Sequence, residues 1–367
     1  MTSRPLAVLI AGGGTGGHLY PGLAVAHEFV RRVPDATVTF VGTARGLEAT
    51  AVPRAGFALD VIRSAGLKGK SVGARLRGLA LLPVSAGDAW AVISRRQPSL
   101  VLGVGGYSAG PVVLLAAWRR VPTLVLEQNA IPGLTNRLLA RWVDGAAVNY
   151  DETLSYFRGK GFVAGNPVRP EFLGRPAVPR AADGRRRLLV LGGSQGAHAI
   201  NVAMLGAAGT VTRGGQVDLV HQTGTRDLEM VRAAYGRQGV TARVEAFLDP
   251  VADAMSAADV VLCRAGATTL AELAVLGRPA VLVPLPTAAD DHQRRNAEVL
   301  SASGAAVVLD EPGLTPDRLA TTVTGLLGEP ERLGAMGEAM RRFARPAAAA
   351  TVVDRALALV ATRRGRT

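Results

Sequence analysis

An apolar run that breaks into a glycine-rich loop and then a helical pattern occurs twice in this chain. "LAVLIA" (6–11) runs into "GGGTGGHLYPG" (12–22), and "RRLLVL" runs into "GGSQGAHAINVAM" within 186–204. A strand of this kind buries both faces only in a parallel sheet covered by helices, so two such openings predict two doubly wound α/β domains. Further strand candidates lie at 37–42, 99–104, 123–128 and 145–149, then at 219–224, 242–248, 259–266 and 280–286. Helical patterns fall between them, for example at 22–32 and 110–119, which is βαβ spacing. The stretch 164–187 carries four prolines, many arginines and no apolar period, and reads as a linker. The expected domains are 1–164 and 165–344, facing each other across a cleft. The amphipathic segment 345–367 has no strand after it and is expected to pack back on the first domain.

With 367 residues the chain is long enough for two cores. The apolar start is only about six residues long and enters a glycine loop, so it reads as a first strand rather than a secretory leader. No apolar run reaches the roughly 18 residues of a membrane span. The single cysteine, Cys263, allows no intrachain disulfide and points to a reducing compartment. A net charge of +13 favours an anionic partner. Aromatic residues are only 4% and are not interleaved with basic stretches, which argues against nucleic acid.

Gly12, Gly14 and Gly17 satisfy the dinucleotide fingerprint G-x-G-x-x-G. That fingerprint needs an acid at the end of the second strand, yet "TFVGTARG" offers none before Glu48. Gly12 and Gly17 also have Walker A spacing, but His18 stands where the lysine must be. What remains is a glycine loop at a helix N-terminus, suited to a phosphate or a sugar oxygen. His18, whose ordinary pKa is about 6.5, could take a hydroxyl proton near neutrality; Glu127 of "LEQNAIPGLTN" (126–136) is the second candidate base. In the second loop Ser194 lies in G-x-S-x-G, either a phosphate loop or a hydrolase nucleophile with Asp259 and His292 following in order. Glu272 in "CRAGATTLAEL" (263–273) could accept two hydrogen bonds from a ribose diol. The stretch 284–297, with Asp291, His292, Gln293 and Asn296, is rich in groups for sugar hydroxyls.

Seven stretches, "GGGTGGHLYPGLAVA", "GVGGYSAGP", "LEQNAIPGLTN", "GNPVR", "GGSQGA", "DVVLCRAGATTLAEL" and "DDHQRRNA", resemble in order the motifs of the MurG family, the bacterial N-acetylglucosaminyltransferases of peptidoglycan synthesis. The resemblance spans roughly residues 6 to 300. It implies a GT-B fold, with two Rossmann-like domains. It also implies transfer of GlcNAc from UDP-GlcNAc to the muramyl 4-hydroxyl of lipid I, giving lipid II with inversion at the anomeric carbon. By the same motifs Thr15, Gly16 and Gly17 would lie near the transferred sugar and the acceptor phosphates. Asn129 and Gln293 would bind the GlcNAc, and Arg169 and Ser194 would face the pyrophosphate. Leu248 would hold the uracil through its backbone, and Ala267, Thr268, Thr269, Leu270, Ala271 and Glu272 would contact the sugar and ribose. His18 is the family's candidate base. His198 stands where arginine is common in the family.

No Asp-x-Asp motif occurs in the sequence, so no metal and no cofactor is expected, UDP-GlcNAc being a co-substrate. Helix N-termini, amides and an arginine would stabilise the leaving UDP instead. The segment 61–86 carries Arg63, Lys68, Lys70, Arg75 and Arg77 and no acid. It is expected to meet an anionic membrane, as a peripheral protein on the cytoplasmic face, where cell-wall assembly proteins are possible partners. The alternatives are a serine hydrolase using Ser194 and a non-catalytic nucleotide-sugar-binding protein.

Overall fold

The computed structural model describes residues 5–64, 81–175, 184–193 and 196–365. The chain divides into two units, Met1–Pro170 with Arg345–Thr367, and Glu171–Ala344. The segment "GNPVR" (165–169) therefore belongs to the first.

The first unit holds a seven-stranded parallel sheet in the order β3-β2-β1-β4-β5-β6-β7. Its strands are β1 (Ala7–Gly12), β2 (Thr37–Gly42), β3 (Ala58–Val61), β4 (Leu100–Gly105), β5 (Thr123–Glu127), β6 (Gly145–Val148) and β7 (Gly161–Val163). Side chains alternate across a strand, and β1 shows what that does here. Val8 and Ile10 enter one core with Leu19, Leu23 and Phe29 of helix α1 (Gly16–Arg32). Leu9 and Ala11 enter the opposite core with Ala89, Val92 and Ile93 of a helix at Leu82–Arg96 and Val112, Val113 and Ala116 of one at Ala109–Trp118. Two covered faces explain the unbroken apolar run. The C-terminal helix, Ala348–Arg364, packs with α1 in this unit. Its Val352, Val353 and Val360 are buried there, at roughly 1.5–3 kcal/mol per side chain.

The second unit repeats the plan. Its strands are β8 (Arg186–Leu191), β9 (Val217–Gln222), β10 (Ala242–Glu245), β11 (Val260–Cys263), β12 (Ala280–Leu282) and β13 (Ala306–Val308). They form a parallel sheet ordered β10-β9-β8-β11-β12-β13. Counted within each unit, the second sheet has the doubly wound order 3-2-1-4-5-6 and the first the same order with a seventh strand at its end. Both reverse beside the first strand, and ligands of such sheets bind there, outside the strand C-termini.

Sequence periodicity misses β3, β7 and β13. Each has only three or four residues, too few to show alternation. Helix α1 begins at Gly16, six residues before the expected 22, and takes Pro21 into its second turn. Proline marks a helix start by preference only, and inside a helix it forgoes one backbone hydrogen bond.

Candidate active site

In the first unit, three loops meet at the strand C-termini. Gly12, Gly13 and Gly14 have φ of 149°, 148° and 87°, the left-handed side that glycine alone adopts readily. A Cβ on Gly12 would stand 2.5 Å from the Gly105 carbonyl, and one on Gly106 would stand 2.7 Å from that of Gly13. The two loops are therefore in backbone contact. His18, half-buried in the first turn of α1, lays its ring against Gly105, where a Cβ would come within 2.7 Å of Cδ2 and 3.0 Å of Nε2. Its Nδ1 is 3.4 Å from Thr15 Oγ1. The third loop is tied in by Gln128, whose Nε2 donates to the Val104 carbonyl at 2.9 Å.

Two buried carboxylates shape these loops. Glu48, 1% exposed, opens a short helix, α2 (Glu48–Arg54). It accepts from Gly14 N at 2.8 Å, Thr43 N at 2.9 Å and Thr43 Oγ1 at 2.8 Å. Burial alone would raise its carboxyl, and these donors outweigh it and hold the group below the usual carboxylate range. Glu127, at the end of β5, accepts from Asn129 N and Nδ2 on Oε1 and from Gly133 N and Asn136 Nδ2 on Oε2, at 2.8–3.2 Å. Burial pushes its carboxyl up while the four donors pull it down, and burial prevails.

In the second unit, Gln222 at the end of β9 grips the glycine loop. Its Oε1 accepts from Gly193 N at 2.9 Å, and its Nε2 donates to the Gly193 and Ala246 carbonyls at 3.1 and 2.8 Å. Below the start of the next helix, α3 (His198–Val211), lies a polar chain. His198 Nδ1 is 2.9 Å from Asp227 Oδ2, which also accepts from Asn201 Nδ2 at 2.8 Å. Asn201 Oδ1 pairs with His221 Nε2 at 3.0 Å, and His221 Nδ1 pairs with the Tyr235 hydroxyl at 2.9 Å. Since Asn201 Oδ1 only accepts, His221 donates from Nε2; burial keeps the ring neutral, which leaves Nδ1 to accept from the Tyr235 hydroxyl. Sequence reasoning missed this chain, whose only signal is polar side chains at core positions of β9 and α3.

Two more segments converge in this unit. Glu272, 4% exposed, lies in the helix α4 (Ala267–Leu276). Gln293, at the start of the helix His292–Ala302, accepts from Leu285 N at 3.0 Å. Asn296 of the same helix donates to the Ala265 carbonyl just before α4 at 3.3 Å.

The N-terminal domain of glycosyltransferase family 28 matches residues 8–148, and its C-terminal domain matches residues 187–352. A UDP-N-acetylglucosamine–N-acetylmuramyl-(pentapeptide) pyrophosphoryl-undecaprenol N-acetylglucosamine transferase of Anaeromyxobacter sp. (strain K) is 46% identical over 98% of this chain and 94% of its own. One of the same name from Geobacter sulfurreducens is 45% identical over 96% and 98%. The crystal structure of Acinetobacter baumannii MurG superposes with a TM-score of 0.78 at 30% identity, covering 96% of this chain and 99% of that one. The chain belongs to the MurG family of glycosyltransferases.

Its two Rossmann-like sheets are those of the GT-B fold. Among the MurG motif residues, the first unit gathers Thr15, Gly16, Gly17 and His18 at the loop that touches Gly105, with Asn129 on the loop beside it. Arg169 lies with its guanidinium 4.7 Å from the centre of the Tyr20 ring. In the second unit, the helix that carries Gln293 is tied through Asn296 to the Ala265 carbonyl, just before residues 267–272.

Four expectations need correction. Glu127 has all four lone-pair sites filled by N–H donors, the arrangement of a loop clamp rather than of a proton acceptor. Leu270 points its side chain into the core, so only its backbone is offered to a ligand. Asp259 accepts from Arg187 N at 2.8 Å, where β8 and β11 begin. That is the opposite end of the sheet from Gly193, which follows the C-terminal end of β8, so Asp259 does not stand with the second glycine loop as a hydrolase triad needs. Arg63 is not an uncompensated charge: it pairs with Asp88 at 2.7 Å and holds that carboxyl down to about 2. Ser194, and Lys68, Lys70, Arg75 and Arg77 of the basic stretch, lie outside the described residues.

Proposed function

We propose that this protein transfers GlcNAc from UDP-GlcNAc to the muramyl 4-hydroxyl of lipid I, forming lipid II with inversion at the anomeric carbon. The observation that carries the reading is 46% identity over 98% of the chain to a transferase named for that reaction. The first unit takes the acceptor. There the 4-hydroxyl attacks the anomeric carbon while His18 accepts its proton, since the hydroxyl is a weak nucleophile until that proton leaves. The second unit takes the nucleotide: the Glu272 carboxylate accepts from the ribose diol, and Gln293 and the start of α4 meet the sugar. As the anomeric C–O bond breaks, its electron pair passes to the β-phosphate of UDP. Helix N-terminal amides and the Arg169 cation stabilise that charge without a metal ion.

A lipid-linked acceptor requires the first unit to work at a membrane face. No described helix is long and apolar enough to cross one. Trp90, Trp118, Trp142 and Leu138 of this unit are exposed. Arg119 lies over the Trp90 ring at 4.6 Å and Arg141 over Trp142 at 4.9 Å. Aromatic rings backed by guanidinium groups suit an anionic lipid interface, which wets one end of each ring and takes up the other.

Acceptor-dependent UDP release tests the reading. UDP appearing only when UDP-GlcNAc and a lipid I analogue are both present supports it. Release independent of the acceptor, or none, overturns it.

A further inference from the structure

We infer that Glu48 is a positioning residue for the acceptor side of this reaction, its carboxylate holding the glycine loop in the shape that sets His18. The inference rests on the functional reading above. Both Glu48 oxygens are taken by donors of its own loops, so it does not serve as the ribose acid of a dinucleotide site. It is directed at the loop instead. One oxygen receives Gly14 N, and the other receives Thr43 N and Oγ1. Three glycines make room for it: a Cβ on Gly13, Gly42 or Gly46 would stand 2.5, 2.6 or 2.0 Å from a Glu48 side-chain atom. Gly14 is followed by Thr15, the N-cap of α1, and His18 stands in the first turn of that helix. A displacement of Gly14 is therefore passed to the imidazole lying on Gly105.

The chemistry demands a carboxylate. Gly14 and Thr43 present backbone N–H groups to opposite oxygens, and a backbone N–H can only donate. Glutamine has nearly the same shape, but its NH₂ group would face one of those two donors in either orientation. Glu48→Gln thus changes the loop without opening a cavity.

The test compares wild type with Glu48→Gln at saturating lipid I analogue, together with the NMR ring-proton signals of His18 in the free protein. In Glu48→Gln, kcat should be about 10–100-fold lower, because small misplacements of reacting groups cost that much. The KM for UDP-GlcNAc, whose nucleotide is held by the second unit, should change far less than kcat. The His18 ring signals should shift. A kcat near wild type, or a donor KM that rises in step with the loss, would overturn the inference. So would unshifted His18 signals, which are read whatever the wild type transfers. Absence of transfer by wild type would instead overturn the functional reading. If Glu48→Gln does not fold, Thr43→Val, which removes the hydroxyl donor alone, should still lower kcat about two- to fivefold at unchanged donor KM. An unchanged kcat there counts against the role.

Discussion

The guanidinium of Arg169 is stacked on the ring of Tyr20, 4.7 Å from its centre. Tyr20 belongs to the helix that opens at the glycine loop, and its ring also covers Gly16, where an added Cβ would stand 2.8 Å from Cε2. The arginine expected to meet the pyrophosphate is thus braced by the acceptor-side helix. Tyr20→Phe keeps the ring and should leave the KM for UDP-GlcNAc within about twofold. Tyr20→Leu removes a cation–π contact worth on the order of 0.5–2 kcal/mol and should raise that KM severalfold. Steady-state kinetics of the two variants decide it, and equal KM values would show that the ring does not set Arg169.

Glu272→Ala should weaken UDP-GlcNAc much more than it slows the bound substrate. A ribose contact is the same in the ground and transition states, so its loss appears in KM rather than kcat. Removing a charge-assisted pair of hydrogen bonds should cost roughly 1.5–3 kcal/mol. A collapsed kcat at constant KM would put Glu272 in the chemistry instead.

The His221 imidazole makes acid stability a property of the second unit. Burial pushes it down to about 4, against a smaller upward pull from Asp227. Above pH of about 6.5 the ring is neutral both folded and unfolded and contributes no pH dependence. As pH falls from there, the unfolded chain binds a proton that the folded one refuses, and stability declines until the ring titrates in the folded state near 4. The loss should reach on the order of 3 kcal/mol. Urea unfolding followed between pH 7 and 4 should show this slope in wild type and a flatter one in His221→Phe. Parallel profiles would contradict the assignment.

The architecture was legible because β1 and β8 each bury both faces and each break into glycine, which few folds permit. The roles of the acids were less legible. Glu48 and Glu127 both sit beside glycine-rich motifs, and spacing cannot tell a carboxylate that faces a ligand from one that faces its own loop. The donors around them settle that, and most are backbone N–H groups with no sequence signature. The Arg63–Asp88 pair was missed because its acid lies on the neighbouring helix, 25 residues on.

Replacing Trp118 and Trp142 by serine should weaken binding to anionic vesicles about fivefold or more, because apolar area and charge both contribute at an interface. Charge reversal at Lys68, Lys70 and Arg75 should do the same at low salt and less at high salt. Co-sedimentation with phosphatidylglycerol vesicles measures both. Binding that ignores both sets of substitutions would contradict membrane attachment through these residues.

The most direct measurement is a rapid-quench comparison of wild type and His18→Ala, mixing enzyme and UDP-GlcNAc with a lipid I analogue across pH. The account predicts a β-linked GlcNAc-muramyl product from wild type, formed together with one UDP. It predicts a turnover about 10²–10⁴-fold lower in His18→Ala, without the acidic limb of the kcat profile and with little change in donor binding. A His18→Ala enzyme that keeps near wild-type turnover, or keeps that limb, would contradict it.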